Sequence, residues 1–410
     1  MRRWLGLAAL AAATAALAGC AGGGAATSYD ATGSVLAVYS SLPLQGSAGA
    51  ASNQIVGGEK LALADAGGRA GAFRVGYNSL DDSDPTTGRW NPGVTAQNAK
   101  TAAEDTSTIA YIGDLESPAT AISLPLINAA GIGQISPASP YVGLTSPLNA
   151  GQDEPERFYP SGQRTFLRLS PGDQVQARAQ VALMRSLGVQ RLYVLDDAED
   201  PFSLPLAEIV AADAQRAGID VVAHEGVTLV TGGRYEGEAK KVAESGAEAV
   251  FYSGAGTGGA ATLWQELHTA EPRMRLLAGS AALVESFTGQ LGAAGSATYI
   301  TTPVLPAAMY PPAGKRVLAE YARAFKSPGD GYALYGYEAM SLVLAAIRHA
   351  GSHGNDRRTV TERLLQTRPR DFVLGPYAIL PNGETTLSRF AVERIVHGVP
   401  VFQRMAESGR

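Results

Sequence analysis

Hydroxyl-bearing loops that follow short apolar runs are the segments of this 410-residue chain best suited to bind a small polar molecule. Three of them are prominent, at Ser40–Ser47, Gly113–Pro118 and Ser136–Pro140. If the preceding runs are parallel strands of one sheet, the loops lie at one edge of it. Serine hydroxyls and the N–H groups of helix N-termini would there hold a carboxylate or a similar acceptor. Taken singly, each serine is also explained as a helix cap.

No motif of the sequence indicates catalysis. A G-x-S-x-G elbow, a G-x-x-x-x-G-K-[ST] phosphate loop and an H-E-x-x-H zinc motif are all missing. Five histidines and one cysteine leave too few ligands for a transition-metal site, and no disulfide forms within one chain. We therefore predict a protein that is not an enzyme and uses neither a cofactor nor a metal.

The segment Gly254–Gly259 fits the dinucleotide-binding pattern G-x-G-x-x-G and lies between a predicted strand and a predicted helix. In that pattern the helix N-terminus binds a pyrophosphate, and an acid about 20 residues further on binds the ribose. Arg273–Leu277 stands where that acid is expected. We therefore favour a loop of small residues that lets a ligand or a neighbouring lobe approach closely, with a nucleotide-dependent enzyme as the alternative.

The acids Asp81, Asp82 and Asp84 form a cluster of the kind that binds Ca²⁺ or Mg²⁺. Their spacing departs from the calcium-binding EF-hand loop at its glycine and glutamate positions. A polar loop after a strand explains the same acids, and we favour that interpretation.

Strand and helix patterns alternate along the chain in two series, separated by a segment rich in proline, glycine and charge at residues 143–162. Strand–helix–strand repetition at this spacing predicts parallel sheets with helices on both faces. The expected fold is α/β, with two doubly wound parallel-sheet lobes, a hinge and a ligand cleft between the lobes. The predicted lobes comprise residues 34–170 with 303–370, and residues 171–302 with 371–410.

Composition is that of a globular protein, with 45% hydrophobic and 17% charged residues. The net charge is −5, and lysine and arginine are interleaved with acids rather than clustered. A nucleic-acid partner is therefore not expected.

The N-terminus predicts export and lipid anchoring. Residues 1–19 combine two arginines with an apolar stretch too short to span a bilayer, which is typical of a signal peptide. The only cysteine, Cys20, follows Leu-Ala-Gly as in a bacterial lipobox, although an ordinary signal peptide with a chance cysteine is the alternative. Residues 20–33 are predicted to be a flexible tether. No later apolar run approaches 18 residues, so the lipid is the only predicted membrane contact, on the outer face of the bacterial cytoplasmic membrane.

Several motifs then occur in the order and at the spacing of a known family. The chain resembles the extracytoplasmic solute-binding proteins of branched-chain amino acid ABC transporters, the leucine-binding branch of the type I periplasmic-binding fold. The resemblance covers nearly all of residues 34–405. The motifs that carry it are Tyr39–Gly46, Asp81–Asp84, Tyr111–Gly113 with Ser117, Ile135–Ala138, Leu144-Thr145, Val194–Asp197, the Gly279 loop and Tyr335–Ala339.

The resemblance implies a ligand site with specific departures. In the family, a serine at the position of Ser117 and a Pro-Ala-x-Thr loop hold the ligand's carboxylate, and here Ser139 would replace the threonine. The family's ammonium-binding acid is absent from Gly279–Ala282. We therefore expect a ligand without an essential ammonium to bind better than leucine, isoleucine or valine. The predicted ligand-binding residues are Ser47, Ser117, Pro118, Ala138, Ser139, Phe202, Ala255, Ser280, Ala281 and Tyr332.

The function implied by the resemblance is transport. A lipid-anchored monomer would capture a small amino-acid-like, carboxylate or amide solute by cleft closure and deliver it to an ABC permease and ATPase complex. A surface sensor on the same fold, signalling through a partner, is the alternative from a different class.

Overall fold

A computed structural model describes residues 30–84, 89–256 and 258–406. The predicted signal peptide, the predicted lipidation site Cys20 and residues 21–29 of the tether lie outside these ranges. Within them the chain forms two α/β lobes, each with its own sheet, which confirms the predicted architecture.

The first lobe begins with a six-stranded sheet in the order β2-β3-β1-β4-β5-β6. All its strands are parallel except the short β2, which pairs antiparallel with β3. The strands are β1 (Leu36–Leu42), β2 (Arg69–Ala70), β3 (Phe73–Asp81), β4 (Thr108–Ile112), β5 (Gly133–Ser136) and β6 (Phe166–Arg168), and the helices are α1 (Gly49–Asp65), α2 (Pro92–Glu104) and α3 (Ser117–Ala129).

The second lobe repeats this plan. Its parallel strands take the order β8-β7-β9-β10-β11. They are β7 (Arg191–Asp197), β8 (Asp220–Val227), β9 (Ala249–Ser253), β10 (Arg275–Ala278) and β11 (Thr298–Thr302), and the helices are α4 (Asp173–Ser186), α5 (Leu204–Arg216), α6 (Glu236–Glu244), α7 (Ala260–Ala270) and α8 (Glu285–Thr288).

The chain then returns to the first lobe before it ends in the second. The returning elements are α9 (Pro312–Phe325), α10 (Gly331–Ala350), α11 (Arg357–Leu365) and the hairpin of β12 (Arg370–Phe372) with β13 (Gly375–Tyr377). Finally β14 (Phe390–Val396) pairs antiparallel with β11, and β15 (Val399–Ala406) pairs antiparallel with β14. The second sheet is therefore mixed and not wholly parallel.

The third crossing of the chain between the lobes, which the predicted lobe ranges put after residue 370, lies later in the chain. Val373, Leu374 and Ile379 are buried in the first lobe's core, and the Tyr377 hydroxyl donates to Glu338 of α10 at 2.7 Å. Residues 373–379 thus belong with the first lobe, whereas the sequence assigned them to the second. Their apolar side chains have helix α10 to pack against, which a strand pattern alone does not reveal.

Local side chains set the start of α2, and a glycine allows the close packing of α1 against α10. Asn91 caps α2 by accepting from two backbone N–H groups, and Pro92 follows in the first turn. Helices α1 and α10 approach so closely that a Cβ on Gly58 would lie 2.0 Å from the Ala333 carbonyl oxygen, so this contact requires glycine. This packing places the first turn of α10 near the carboxyl end of β1. None of the helices among the described residues is long and apolar enough to cross a membrane.

Candidate functional site

Each sheet reverses its strand order beside its own first strand. In the first sheet β1 lies between β3 and β4, and in the second β7 lies between β8 and β9. Ligands of doubly wound sheets bind beyond the carboxyl ends of the strands at such a switch point. The loops after β1, β4, β7 and β9 therefore define the candidate site. They contain Ser47, Ser117, Phe202 and Ala255.

The loops of the two lobes meet across a cleft. The ring of Tyr141, from the loop after β5, lies edge to face with that of Phe202 from the second lobe, at 4.9 Å between centroids. The Arg89 guanidinium of the first lobe also acts across the cleft, lowering the pKa values of Asp197 and Asp200 against the rise that burial causes. Neither Tyr141 nor Arg89 was among the residues predicted from the sequence.

Ser117 and Pro118 form the start of α3 at the cleft edge. The Ser117 hydroxyl accepts the backbone N–H of Tyr141 at 3.1 Å, so it fixes the loop after β5 against the helix. The same hydroxyl still has a proton to donate to a solute. Ser47 lies in a single 3₁₀ turn after β1 and is half-buried.

Ser139 does not present its hydroxyl to the cleft, although the sequence predicted a ligand contact there. The residue is fully buried, and its Oγ lies 2.6 Å from Thr120 Oγ1 and 3.2 Å from the Asp114 carbonyl. The N–H groups of Ala138 and Ser139 both donate to Ser136 Oγ. This loop satisfies its own polar groups, which leaves fewer of them for a ligand.

The second lobe contributes small residues and backbone to the site. The Gly256 N–H donates to the Ala281 carbonyl at 3.2 Å, which joins the loops after β9 and β10. Ala255 and Ser280 are half-buried, and Ala281 is exposed. These three predicted site residues therefore lie together, and they carry no charge.

Tyr332 lies in the first turn of α10, where Asp330 caps the helix by accepting the Tyr332 N–H at 2.8 Å. Its ring packs with Leu42, Ile55 and Leu115, close to the ends of β1 and β4. Burial raises the pKa of Tyr332 to about 12, with Asp330 and Glu116 adding to the rise. Tyr332 thus lies beside the loop that contains Ser117.

The acids of the loop after β3 are internal acceptors, as the polar-loop interpretation predicts. Asp81 accepts from Leu44 N–H and from Ser83, while Asp82 accepts from Ser41 and Thr95. Among the residues that the structure describes, no group of three or more potential ligands could hold a metal ion.

Glu116, which precedes Ser117 at this edge of the sheet, was not among the ligand-binding residues predicted from the sequence. It stands at the N-cap of α3, yet its side chain makes no capping hydrogen bond. Burial raises its pKa to about 8, with Asp82 adding to the rise and Arg89 opposing it. The available signal was its place directly before Ser117, in a loop already identified as polar.

Comparison with known proteins gives the family. A family model described as periplasmic binding protein matches residues 40–398, which is most of the chain. This chain belongs to the periplasmic binding protein family. Proteins of this family bind solutes outside the cytoplasm and are not enzymes. No curated protein sequence matches the chain significantly.

Solved structures show the same fold at low sequence identity. A leucine-binding protein, LivK of Thermotoga maritima, is 20% identical with a TM-score of 0.74, covering 90% of this chain and 98% of its own. LivJ of Streptococcus pneumoniae, in complex with isoleucine, is 16% identical with a TM-score of 0.71, covering 90% and 98%. An R. palustris solute-binding protein in complex with benzoate is 16% identical with a TM-score of 0.70, covering 91% and 96%.

The glycines of the predicted nucleotide-binding pattern, at residues 254–259, pack against side chains from other parts of this periplasmic binding protein. A Cβ on Gly259 would lie 1.9 Å from the Tyr235 hydroxyl, and one on Gly256 would lie 2.7 Å from the Phe287 Cβ. The glycines are needed because these rings pack against the loop. The space that a pyrophosphate would take is therefore occupied, which argues against the nucleotide-dependent enzyme.

A buried charge cluster lies where the lobes join. Arg168, fully buried at the end of β6, pairs with Glu384 at 3.1 Å and donates to the carbonyls of Ser139 and Tyr141. Gly383 adopts φ +88° and passes so close to β6 that its carbonyl accepts the Arg168 N–H at 3.0 Å. Arg168 and Glu384 thus connect the loop after β5 to the two segments in which the chain first and last crosses between the lobes.

Proposed function

We propose that this periplasmic binding protein captures a small solute between its lobes and delivers it to an ABC permease and ATPase complex. The observation that carries the proposal is that the switch-point loops of both sheets face each other across one cleft in a chain of this family. The solute would be amino-acid-like, or a carboxylate or amide. LivJ with isoleucine and the R. palustris protein with benzoate support that range, because both share the fold.

Capture would proceed by closure of the lobes about the three crossings. Phe202 moves with the second lobe, so its contact with Tyr141 exists only when the lobes are close. Ser117 would donate its hydroxyl to an oxygen of the solute, and Tyr332 would form a wall beside it. The small residues Ala255 and Ala281 would leave room for the rest of the solute.

The test is a thermal-shift screen against amino acids, amides, aromatic acids and short-chain carboxylates. A solute at about 100 times its Kd stabilises the protein by about 2.7 kcal/mol, which such a screen resolves. Ala281→Trp, which adds a large ring at the cleft edge of the second lobe, should remove the shift. Ala293→Trp is the matched control, because Ala293 is also exposed but precedes β11 at the opposite edge of the sheet. A screen without any stabilising solute would refute the proposal.

We also propose that the mature protein is a monomer anchored by a lipid on Cys20. The lipobox pattern before the only cysteine supports this. Cys20→Ala should release the protein into the medium or leave an unprocessed precursor. Intact-mass analysis that finds an unmodified Cys20, or cleavage at another position, would contradict the anchor.

A further inference from the structure

One carboxylate oxygen of Glu116 accepts no hydrogen bond from the described residues. Its Oε2 is shielded from solvent and has no hydrogen-bond partner among the described residues. An acid at a helix N-cap ordinarily accepts from the backbone N–H groups of the first turn, but this one does not. Leaving a buried acceptor unsatisfied costs free energy, and a hydrogen-bond donor on a solute would remove that cost.

The charges around Glu116 are mainly negative. Asp82, from the loop after β3, raises the pKa values of both Glu116 and Asp114, and Glu116 adds to the rise at Asp114. Arg89 is the cation that acts on Glu116, and it also acts on Asp197 and Asp200 across the cleft. A second anion entering this space would add to the repulsion, whereas a cation would relieve it.

Tyr332 provides a wall on the side of α10. Its ring packs against the same small apolar cluster as Leu115, the residue that precedes Glu116. A cation beside Glu116 would therefore also lie near an aromatic ring, an arrangement that adds to its binding. Ser117, the next residue along the chain, would hold a neighbouring oxygen of the same solute.

We propose that Glu116 is the specificity-determining residue of the cleft and binds a hydrogen-bonding cation of the solute, a primary ammonium or a guanidinium. This inference rests on the proposed function and narrows its solute class. It also replaces the expectation, drawn from the missing acid in Gly279–Ala282, that the solute needs no ammonium. The acid is present, but it is supplied by the first lobe and not by the second. A quaternary ammonium should bind less well, because Oε2 needs a donor.

Paired probes test the charge requirement. We would measure thermal shifts and titration calorimetry with leucine against its deaminated keto acid, and with benzylamine against benzoate. The best solute of the wider screen is compared with its own deaminated analogue in the same way. The amine-bearing member should bind more tightly, and Glu116→Gln should weaken its binding ten- to a hundredfold. Glu285→Gln is the matched control, since Glu285 is exposed beside the second-lobe loop.

Proton release gives a second readout that a merely structural role would not move. With a pKa of about 8, Glu116 is largely protonated at pH 7 and must ionise to pair with a cation. Calorimetry in buffers of different ionisation enthalpy should therefore show close to one proton released per amine bound. Glu116→Gln should abolish this release. Unchanged folding of the variant is checked by its melting temperature without solute.

The outcomes separate the two proposals. If no solute binds, the proposed function fails. If solutes bind but the deaminated members are preferred, or the preference for amines survives Glu116→Gln, the role of Glu116 is refuted and solute binding stands. Amine binding with the same proton release in Glu116→Gln as in the unaltered protein would also overturn the inference.

Discussion

The two lobes share a strand order but face the cleft with different chemistry. The first lobe presents Ser117, Glu116 and the ring of Tyr332, with Asp82 and Asp114 behind them. The second presents Phe202 and the small residues Ala255 and Ala281, whose loops are joined by a backbone hydrogen bond. The second lobe's side of the switch point also carries Asp197 and Asp200, on which Arg89 of the first lobe acts. The contrast is therefore between Ser117 and Glu116 on one side and the small residues Ala255 and Ala281 on the other.

This difference assigns separate tasks to the lobes. Charge and hydrogen-bonding groups on the first lobe would recognise the polar end of a solute. The second lobe would cover the rest of the solute and close through Phe202, where shape matters more than charge. Burial raises the pKa values of acids in both lobes, including Asp173 of the second, but the group in which Asp82 acts on both Asp114 and Glu116 lies in the first.

The largest effect should come from pH. Burial raises the pKa values of Glu116, Asp82 and Asp114 above those of the unfolded chain. Folding therefore retains protons that the unfolded chain loses, and stability should fall as the pH rises from about 5 to 8. Each such proton contributes up to about 1.4 kcal/mol per pH unit, so the loss should reach several kcal/mol. Calorimetric unfolding across this range measures it.

Glu116→Gln should reduce this pH dependence without abolishing it, because burial also raises the pKa of Glu59 to about 8 and that of Asp173 in the second lobe to about 7. The lowered pKa values of Asp81 and Asp105 act in the opposite direction, but only near and below the usual aspartate value of 3.8. Stability that rises between pH 5 and 8 would contradict this account of the first lobe.

The joint between the lobes should show the next largest effect. Arg168→Met removes a buried cation and leaves Glu384 and two carbonyls unpaired, which should cost about 3–5 kcal/mol in the free energy of unfolding. Denaturant titration gives the value. Arg164→Met is the control, because Arg164 pairs with an exposed Glu156 and its loss should cost no more than about 1 kcal/mol. Equal losses of unfolding free energy in the two variants would show that the buried pair of Arg168 and Glu384 does not stabilise the joint between the lobes.

Two serines of the first lobe separate ligand contact from internal structure. Ser117→Ala should weaken solute binding ten- to a hundredfold, as expected for losing a hydrogen bond to a charged group. Ser139→Ala should leave affinity nearly unchanged and lower thermal stability, because its hydroxyl bonds Thr120 and the Asp114 carbonyl. Calorimetry and melting curves on both variants decide between them. The reverse pattern would mean that the loop after β5 rearranges around the solute.

The smallest effect should come from the second lobe. Phe202→Ala removes an edge-to-face ring contact worth about 0.5–1.5 kcal/mol, so affinity should fall by about tenfold or less. Phe325→Ala removes a similar ring contact with Tyr321 inside one helix and should not change affinity. Solute titrations measure both. A loss greater than a hundredfold for Phe202→Ala would give the second lobe a larger share of recognition than this comparison allows.

Local patterns predicted most of the elements that carry the site. The apolar run before the polar loop Gly113–Pro118 forms the strand Thr108–Ile112, and the loop leads into a helix that begins at Ser117. Buried β-branched runs and proline in the first turn are local signals. The strand Thr298–Thr302 was missed, and residues 373–379 were placed in the wrong lobe, because both depend on which distant element they pack against.

The features of the candidate site also fall into two groups, those visible in the sequence and those set by packing. The polar loops and the lack of an acid at Gly279–Ala282 are visible in the sequence. The inward turn of Ser139, the contact of Tyr141 with Phe202 and the isolation of Glu116 are not, since each depends on segments far apart in the chain.

The sequence by itself determined the α/β class, the two-lobe organisation and the family, because alternating apolar patterns and ordered motifs are properties of neighbouring residues. Only the tertiary structure decided which polar groups are already satisfied. Hydrogen bonding and burial are settled by packing between elements: both carboxylate oxygens of Asp81 have partners, in Leu44, Ser83 and Gln45, whereas Oε2 of Glu116 has none among the described residues. The difference between two acids of one sheet edge is therefore a fact of packing, and the proposed solute class is argued from it.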